Sequence, residues 1–324
     1  MPDWRFDLVA APAPGSKASG TVDWREPLLT GWEFPYTAVN GAHPGPSVLV
    51  IAGIHGSEYV SIDAAIRLAA SLDPAKLHGQ VLVLPLLNPA AFWERTPYVS
   101  PIDNLNPNRA FPGKPFGTFT ERLAYHLTER AIRHADALMD LHGGDIPEAL
   151  VAFTIYETTG DAALDARAQQ LAEAFGMPAL LAQPRGNSPI AGTTYSTAAR
   201  LGIPAIIAED GGAGVYDPVL AERMFLGAEN ALLTLGVLPG GARAVAKPHR
   251  YGRFDWVRAA QAGFFRVAVQ VGDSVAAGAT LGSIVDFEGR VRETVAATAS
   301  GRVLFLVVSA AVKQNGLICG IGTE

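Results

Sequence analysis

The sequence predicts a two-part molecule: a three-layer α/β domain over residues 1–238 and a smaller all-β domain over residues 239–324. Three observations carry this expectation. The 324 residues suit about two domains at roughly 150 residues each. Apolar runs that read as strands buried on both faces alternate with amphipathic helical stretches as far as Leu235, the pattern of helices packed on a sheet. Beyond Leu238-Pro239-Gly240-Gly241, which reads as a linker, helical periodicity stops and short Val-rich strands alternate with Gly turns.

Residues 1–45 read as an irregular lead-in with strand pieces, and Asn40-Gly41 is a hairpin-turn signal. Ser47–Ala52 (SVLVIA) is a buried strand, followed by a helix over Ser57–Ser71 with Val60, Ala64, Ala65 and Leu68 on one face. Val81–Leu87 is the next strand, with Pro85 marking a bulge or an irregular end. Residues 88–118 are rich in Pro and Asn and lack periodicity. A loop of that length in a compact domain is uncommon and often functional. Helices follow at Glu121–Arg133, with Thr118 and Thr120 as candidate caps, and at Asp161–Phe175, Thr193–Leu201 and Asp217–Leu235. Strands are expected at Ala137–Leu141, Leu150–Tyr156 and Ala205–Ala208.

Composition narrows the function. Hydrophobic residues make up 49% and charged residues 17%, which excludes disorder for the bulk of the chain. The balance of 25 Lys and Arg against 31 Asp and Glu gives no basic field, so neither nucleic acid nor an anionic membrane is expected as the main partner. No apolar run reaches the ~18 residues of a membrane span. Asp3 and Asp7 stand where a signal peptide would be basic and the apolar stretch is too short, so a soluble cytoplasmic protein is expected. The one cysteine, Cys319, excludes an intrachain disulfide and a Cys-rich metal site and reads as a small apolar residue in a C-terminal strand. Any metal must be held by His, Asp or Glu.

The C-terminal segment carries a weak internal repeat. Gly263, Gly278 and Gly282 recur 38 residues later as Gly301, Gly316 and Gly320, as two related β units packed face to face would require. Gly272–Gly278 (GDSVAAG) resembles the turn of biotinyl/lipoyl-type sandwiches, but the candidate hairpin tip Asp286-Phe287-Glu288-Gly289 lacks their lysine. The resemblance implies a relative without the swinging arm, one that shapes or covers the active site.

The chemistry concentrates at strand ends. Gly53-Ile54-His55-Gly56-Ser57-Glu58 lies at the carboxyl end of a buried strand, where ligands bind in open α/β sheets. His55 and Glu58, three residues apart at a helix start, can converge on one ion, and imidazole plus carboxylate suits Zn²⁺. Read alone, the pair is equally an ordinary loop histidine with a first-turn glutamate. His142, ending the strand Ala137–Leu141, supplies a third ligand, and Asp140 on the same strand face can orient an imidazole. His43, His78, His126, His134 and His249 sit in turns, on a helix or in the linker and read as structural. Two His and one Glu leave a tetrahedral position open, the arrangement of a hydrolytic zinc site. Glu209, ending the strand Ala205–Ala208, is the candidate general base, while Asp210 should point to the opposite face. In the long loop, Arg109 can grip a carboxylate and Asn108 can add a hydrogen bond.

His55-Gly-Ser-Glu58, Asn108-Arg109-Ala-Phe-Pro-Gly113, Glu121-Arg122, Asp140-Leu-His142 and Glu209 together resemble the succinylglutamate desuccinylase/aspartoacylase family, within the wider zinc-carboxypeptidase-like class. The resemblance implies a mixed central sheet, one Zn²⁺ per chain on His55, Glu58 and His142, Glu209 as general base, and Asn108 and Arg109 as binders of a substrate carboxylate. Two positions depart from it. Asn106 stands where the family often has Asp, and Pro101 stands near an expected arginine, the nearest here being Arg95. The reading is a zinc-dependent deacylase of N-acyl amino acids, with a homo-oligomer allowed. Its rivals are a carboxypeptidase for short peptides and a non-catalytic zinc or carboxylate binder. A deacetylase of diamino acids is a further variant, since Asp145 and Glu148 could meet a cationic side chain.

Overall fold

The computed structural model describes residues 3–186 and 191–324. Ten strands lie in the first part of the chain: β1 (Ser16–Thr21), β2 (Pro35–Asn40), β3 (His43–Ala52), β4 (His78–Leu84), β5 (Ala137–His142), β6 (Glu148–Leu150), β7 (Phe153–Thr158), β8 (Ala179–Pro184), β9 (Ala205–Glu209) and β10 (His249–Tyr251). All but β6 join one mixed sheet in the order β1-β2-β4-β3-β5-β9-β7-β8-β10. Its centre, β4-β3-β5-β9, is parallel, while β1, β2 and the β7–β9 pair run antiparallel to their neighbours. The helices are α1 (Tyr59–Ser71), α2 (Pro89–Glu94), α3 (Phe119–Arg130), α4 (Ala162–Phe175), α5 (Thr194–Arg200) and α6 (Pro218–Thr234).

The three layers follow from alternation along the central strands. Val48, Val50, Met139, Leu141, Ile206 and Ala208 face α1, α4 and α6. The intervening Leu49, Ile51, Leu138 and Ile207 face α3, α5 and the N-terminal segment, where Phe6, Leu8, Trp24 and Phe34 are buried. Each such buried side chain contributes about 1.5–3 kcal/mol. Along β5 this second face continues through Leu138 to Asp140 and His142, so the strand that builds the core also delivers polar groups at its end.

Several elements differ from expectation for local reasons. Asn40-Gly41 makes no hairpin, because β4 lies between β2 and β3. Gly41 serves close approach instead: a Cβ there would sit 2.1 Å from the Leu77 carbonyl oxygen. β4 starts three residues before Val81 and stops at Leu84, ahead of Pro85, which has no N–H to pair. The long loop contains α2, capped by Asn88 accepting from the Ala91 N–H at 3.2 Å, and a 3₁₀ turn at Pro107–Arg109. α3 starts at Phe119 under a Thr118–Glu121 capping box, while Thr120 bonds Asp103 instead of capping. The segment Leu150–Tyr156 divides between β6 and β7. β8 was not anticipated; Gln183 and Pro184 hide a short strand whose inner residues are buried.

The remaining strands are β11 (Arg253–Arg258), β12 (Gly263–Val267), β13 (Ser274–Val275), β14 (Thr280–Val285), β15 (Val291–Ala296), β16 (Gly301–Val307), β17 (Ala311–Val312) and β18 (Leu317–Thr323). They form two sheets, β11-β18-β16-β13 and β15-β14-β12-β17. Val257, Phe265, Leu281, Ile284, Val303 and Ile318 are buried among them, with Cys319 fully buried on β18. A shift of 38 residues lays β11 on β15, β12 on β16 and β14 on β18, so the glycine recurrence is a structural repeat. The short strands cross over: β13 pairs β16 of the second unit and β17 pairs β12 of the first. β6 adds to β16, which joins this sandwich to the α/β layers. Among the described residues no helix is long and apolar enough to cross a membrane.

Candidate active site

β3 ends at Ala52 and the chain enters α1 through the loop carrying His55 and Glu58. Gly56 lets this loop lie against α2, since a Cβ would meet the Phe92 backbone nitrogen at 2.2 Å. His55, Glu58 and His142 are all buried. Glu58 bridges the two imidazoles, with Oε1 2.7 Å from His55 Nδ1 and Oε2 2.9 Å from His142 Nδ1. One ligand atom from each residue lies within 4.8 Å of the other two.

An oxygen stands behind each ring. His55 Nε2 lies 3.1 Å from Asn106 Oδ1, an oxygen that also accepts the Asn108 N–H at 2.8 Å. His142 Nε2 is 2.9 Å from Asp140 Oδ2, out of line for a hydrogen bond. Asp140 is fully buried and accepts from the Thr194 hydroxyl. With both Nε2 atoms turned outward, both Nδ1 atoms face the carboxylate.

The buried charges of the cluster balance one another. Burial would raise the Glu58 carboxyl, but the two imidazoles hold it at about 2. Burial would lower both histidines, yet Glu58 beside His55, and Asp140 with Glu58 beside His142, push their pKa values up. Glu58 Oε2 is buried with no hydrogen-bond donor. Two imidazoles facing one buried carboxylate, one of whose oxygens no hydrogen bond satisfies, are the donor set of a divalent ion such as zinc, and the residues fit that group.

Glu209 joins them through sheet register, because β5 and β9 run parallel with His142 opposite Glu209. Burial raises its carboxyl well above the usual range; Glu58, Glu148 and Asp140 add to this and His142 opposes it. Asp210 turns away and holds Arg223 with both oxygens at 2.7 Å.

A cavity of about 300 Å³ opens over these groups, lined also by Asn108 and Arg109. The Arg109 guanidinium, its pKa lowered by burial, donates to the Asn108 carbonyl at 2.6 Å. Asn108 Oδ1 is taken by the Thr194 N–H at 3.1 Å, so the side chain offers a ligand its NH₂ donors. Glu121 and Arg122 lie outside the cavity: Glu121 caps α3, and Arg122 pairs with Glu26 at 2.8 Å. The five other histidines and Arg95 are absent from the lining.

The cavity also holds residues that the sequence reading did not place there. Tyr98 comes from the long loop, Tyr195 from α5, and Phe254, Trp256, Arg258, Phe305 and Leu317 from the C-terminal sheets. Only the irregularity of residues 88–118 and the expectation of a covering domain pointed toward them.

Residues 44–235 match the succinylglutamate desuccinylase/aspartoacylase catalytic domain. The chain is 30% identical over 259 residues to the N-alpha-acetyl-L-2,4-diaminobutyric acid deacetylase of Halomonas elongata, spanning 78% of this chain and 74% of that protein. The product-bound ectoine utilization protein EutE (DoeB) of Ruegeria pomeroyi superposes with a TM-score of 0.86 at 24% identity, over 98% of this chain and 99% of the other. A succinylglutamate desuccinylase/aspartoacylase of Rhodobacter sphaeroides does so with a TM-score of 0.83 at 27% identity and the same coverage. The mixed sheet, the His–Glu–His cluster and these likenesses agree, and the chain belongs to the succinylglutamate desuccinylase/aspartoacylase family of deacylases.

Proposed function

We propose that this protein is a zinc-dependent hydrolase that cleaves the amide bond of a small N-acyl amino acid. The observation that carries this reading is the convergence of His55, Glu58 and His142 beside Glu209, a raised carboxyl on the neighbouring strand. When bound, the ion supplies Lewis-acid polarisation of a carbonyl and lowers the pKa of water toward ~7.

The chain supplies the rest. His55, Glu58 and His142 hold the ion, with Asn106 and Asp140 fixing the rings from behind. The Arg109 guanidinium and the Asn108 NH₂ receive a substrate carboxylate. Glu209 takes a proton from the attacking water and delivers it to the departing nitrogen, a task its raised pKa suits. The walls from the C-terminal sheets limit the cavity to about 300 Å³, the low end for small-molecule sites. A cavity of that volume favours a small acyl amino acid over a peptide chain.

The test is a panel of N-acetyl, N-succinyl and longer N-acyl amino acids beside short peptides, assayed with zinc-loaded protein. Hydrolysis of small acyl amino acids is expected. Cleavage confined to peptides would replace the reading with a carboxypeptidase, and no cleavage at all despite bound zinc would replace it with a binding protein.

A further inference from the structure

Resting on the deacylase reading, we infer that Glu148 is a specificity-determining residue that receives a free ammonium group on the substrate. Three features of its setting carry the inference.

First, the backbone around Glu148 is pinned from two sides. β6 pairs with β16 in the register Val307–Glu148, Leu306–Ala149 and Phe305–Leu150, and the Glu148 carbonyl accepts the Ala213 N–H at 2.6 Å. A cavity-lining carboxylate is thus mounted on a short strand that the C-terminal sheet holds in place.

Second, Tyr98 clamps the side chain under strain. Tyr98 has φ 62°, a conformation that a bulky residue rarely adopts. Its N–H donates to Asp145 Oδ2 at 2.6 Å and its hydroxyl donates to Glu148 Oε1 at 2.5 Å. The same ring stands edge-on to His55, with centroids 6.3 Å apart, so the clamp keeps Glu148 beside the metal-ligating group.

Third, the carboxylate lacks a cation. Among the described residues no Lys, Arg or His forms an ion pair with Glu148. Burial pushes its pKa up to about 7, against the pull of the Tyr98 hydrogen bond. Neither arginine of the cavity pairs with Glu148: Arg109 gives one N–H to the Asn108 carbonyl and keeps the rest of its guanidinium for a ligand, and Arg258 donates to the Asn315 carbonyl. Phe254, Trp256 and Phe305 line the same space, with centroids 4.9 Å apart for Phe254–Trp256 and 6.1 Å for Trp256–Phe305, and such faces also favour a cation. One cavity therefore offers a guanidinium to a carboxylate and a spare carboxylate to an ammonium. The substrate class that matches both is an N-acyl diamino acid, and a second carboxylate in place of the ammonium would meet like charge.

Calorimetric binding of 2,4-diaminobutyrate, norvaline and glutamate to the zinc-loaded protein tests this, because the three share a two-methylene stem and differ in terminal charge. Diaminobutyrate is expected to bind about tenfold or more tightly than norvaline, with glutamate weakest. In Glu148→Gln that preference should collapse, and in Tyr98→Phe it should weaken. Equal binding of diaminobutyrate and norvaline by the unmodified protein, or a preference that survives in Glu148→Gln, would overturn the assignment. Failure to hydrolyse any acyl amino acid while the binding preference persists would instead count against the deacylase reading alone.

Discussion

Glu209 is the residue on which the proposed chemistry turns. Glu209→Gln keeps the size and removes the base, so zinc content by elemental analysis should stay near that of the unmodified protein. Turnover should fall by about 10²–10⁴-fold. The raised carboxyl also sets the sign of the pH dependence. A base protonated below its pKa is inactive there, so kcat/KM should fall as pH drops through a value above the ordinary carboxylate range. An acid limb at an ordinary carboxylate pKa would contradict burial as its cause. Asp140 backs His142, and Asp140→Asn should weaken zinc affinity by about 10–100-fold in a chelator competition assay. The sequence made these side chains legible because each ends an apolar strand or opens a helix three residues on. Tyr98 was not legible: its partners Asp145 and Glu148 lie almost fifty residues away, and only the folded loop joins them. Asn106 looked like a departure from the family pattern, and its place behind His55 needed the fold to be seen.

At the scale of elements, polarity patterns located the strands and helices, and local chemistry moved their ends. Asp161 and Asp217, read as first helical residues, cap α4 and α6 from just outside. Thr118 was legible as a cap for α3, and Thr118→Ala should cost about 1 kcal/mol in denaturant unfolding. Where α3 packs on the N-terminal segment, Arg122 pairs with Glu26. Burial works to raise the Glu26 carboxyl, but the Leu28 N–H and Arg122 outweigh it and the pKa is lowered. A depressed carboxyl stabilises the fold above its unfolded-state pKa, and that stability is lost as pH falls through the folded value. Glu26→Gln should therefore flatten part of the stability loss below about pH 4, read as the unfolding midpoint against pH. A slope identical in both proteins would remove Glu26 from the account.

At the scale of the molecule, the alternation of buried strands with helices announced three layers, and the spaced glycines announced a duplicated β unit. Neither disclosed the sheet order, since strand neighbours are chosen by long-range packing that no local window contains. That order sets His142 opposite Glu209, and the β6–β16 ladder docks the C-terminal sheets so that Phe254, Trp256 and Phe305 line the cavity. An ion bound only by the folded chain stabilises it, by about 2.7 kcal/mol at a hundred times its Kd. Chelation should thus lower the melting temperature and abolish turnover together, and zinc should restore both. The most direct measurement is a crystal structure of the purified protein recorded across the zinc absorption edge. The account predicts a single anomalous peak about 2.0–2.2 Å from His55 Nδ1, His142 Nδ1 and a Glu58 carboxylate oxygen, with the fourth position free of protein. No peak there, or a fourth side chain completing the shell, would contradict it.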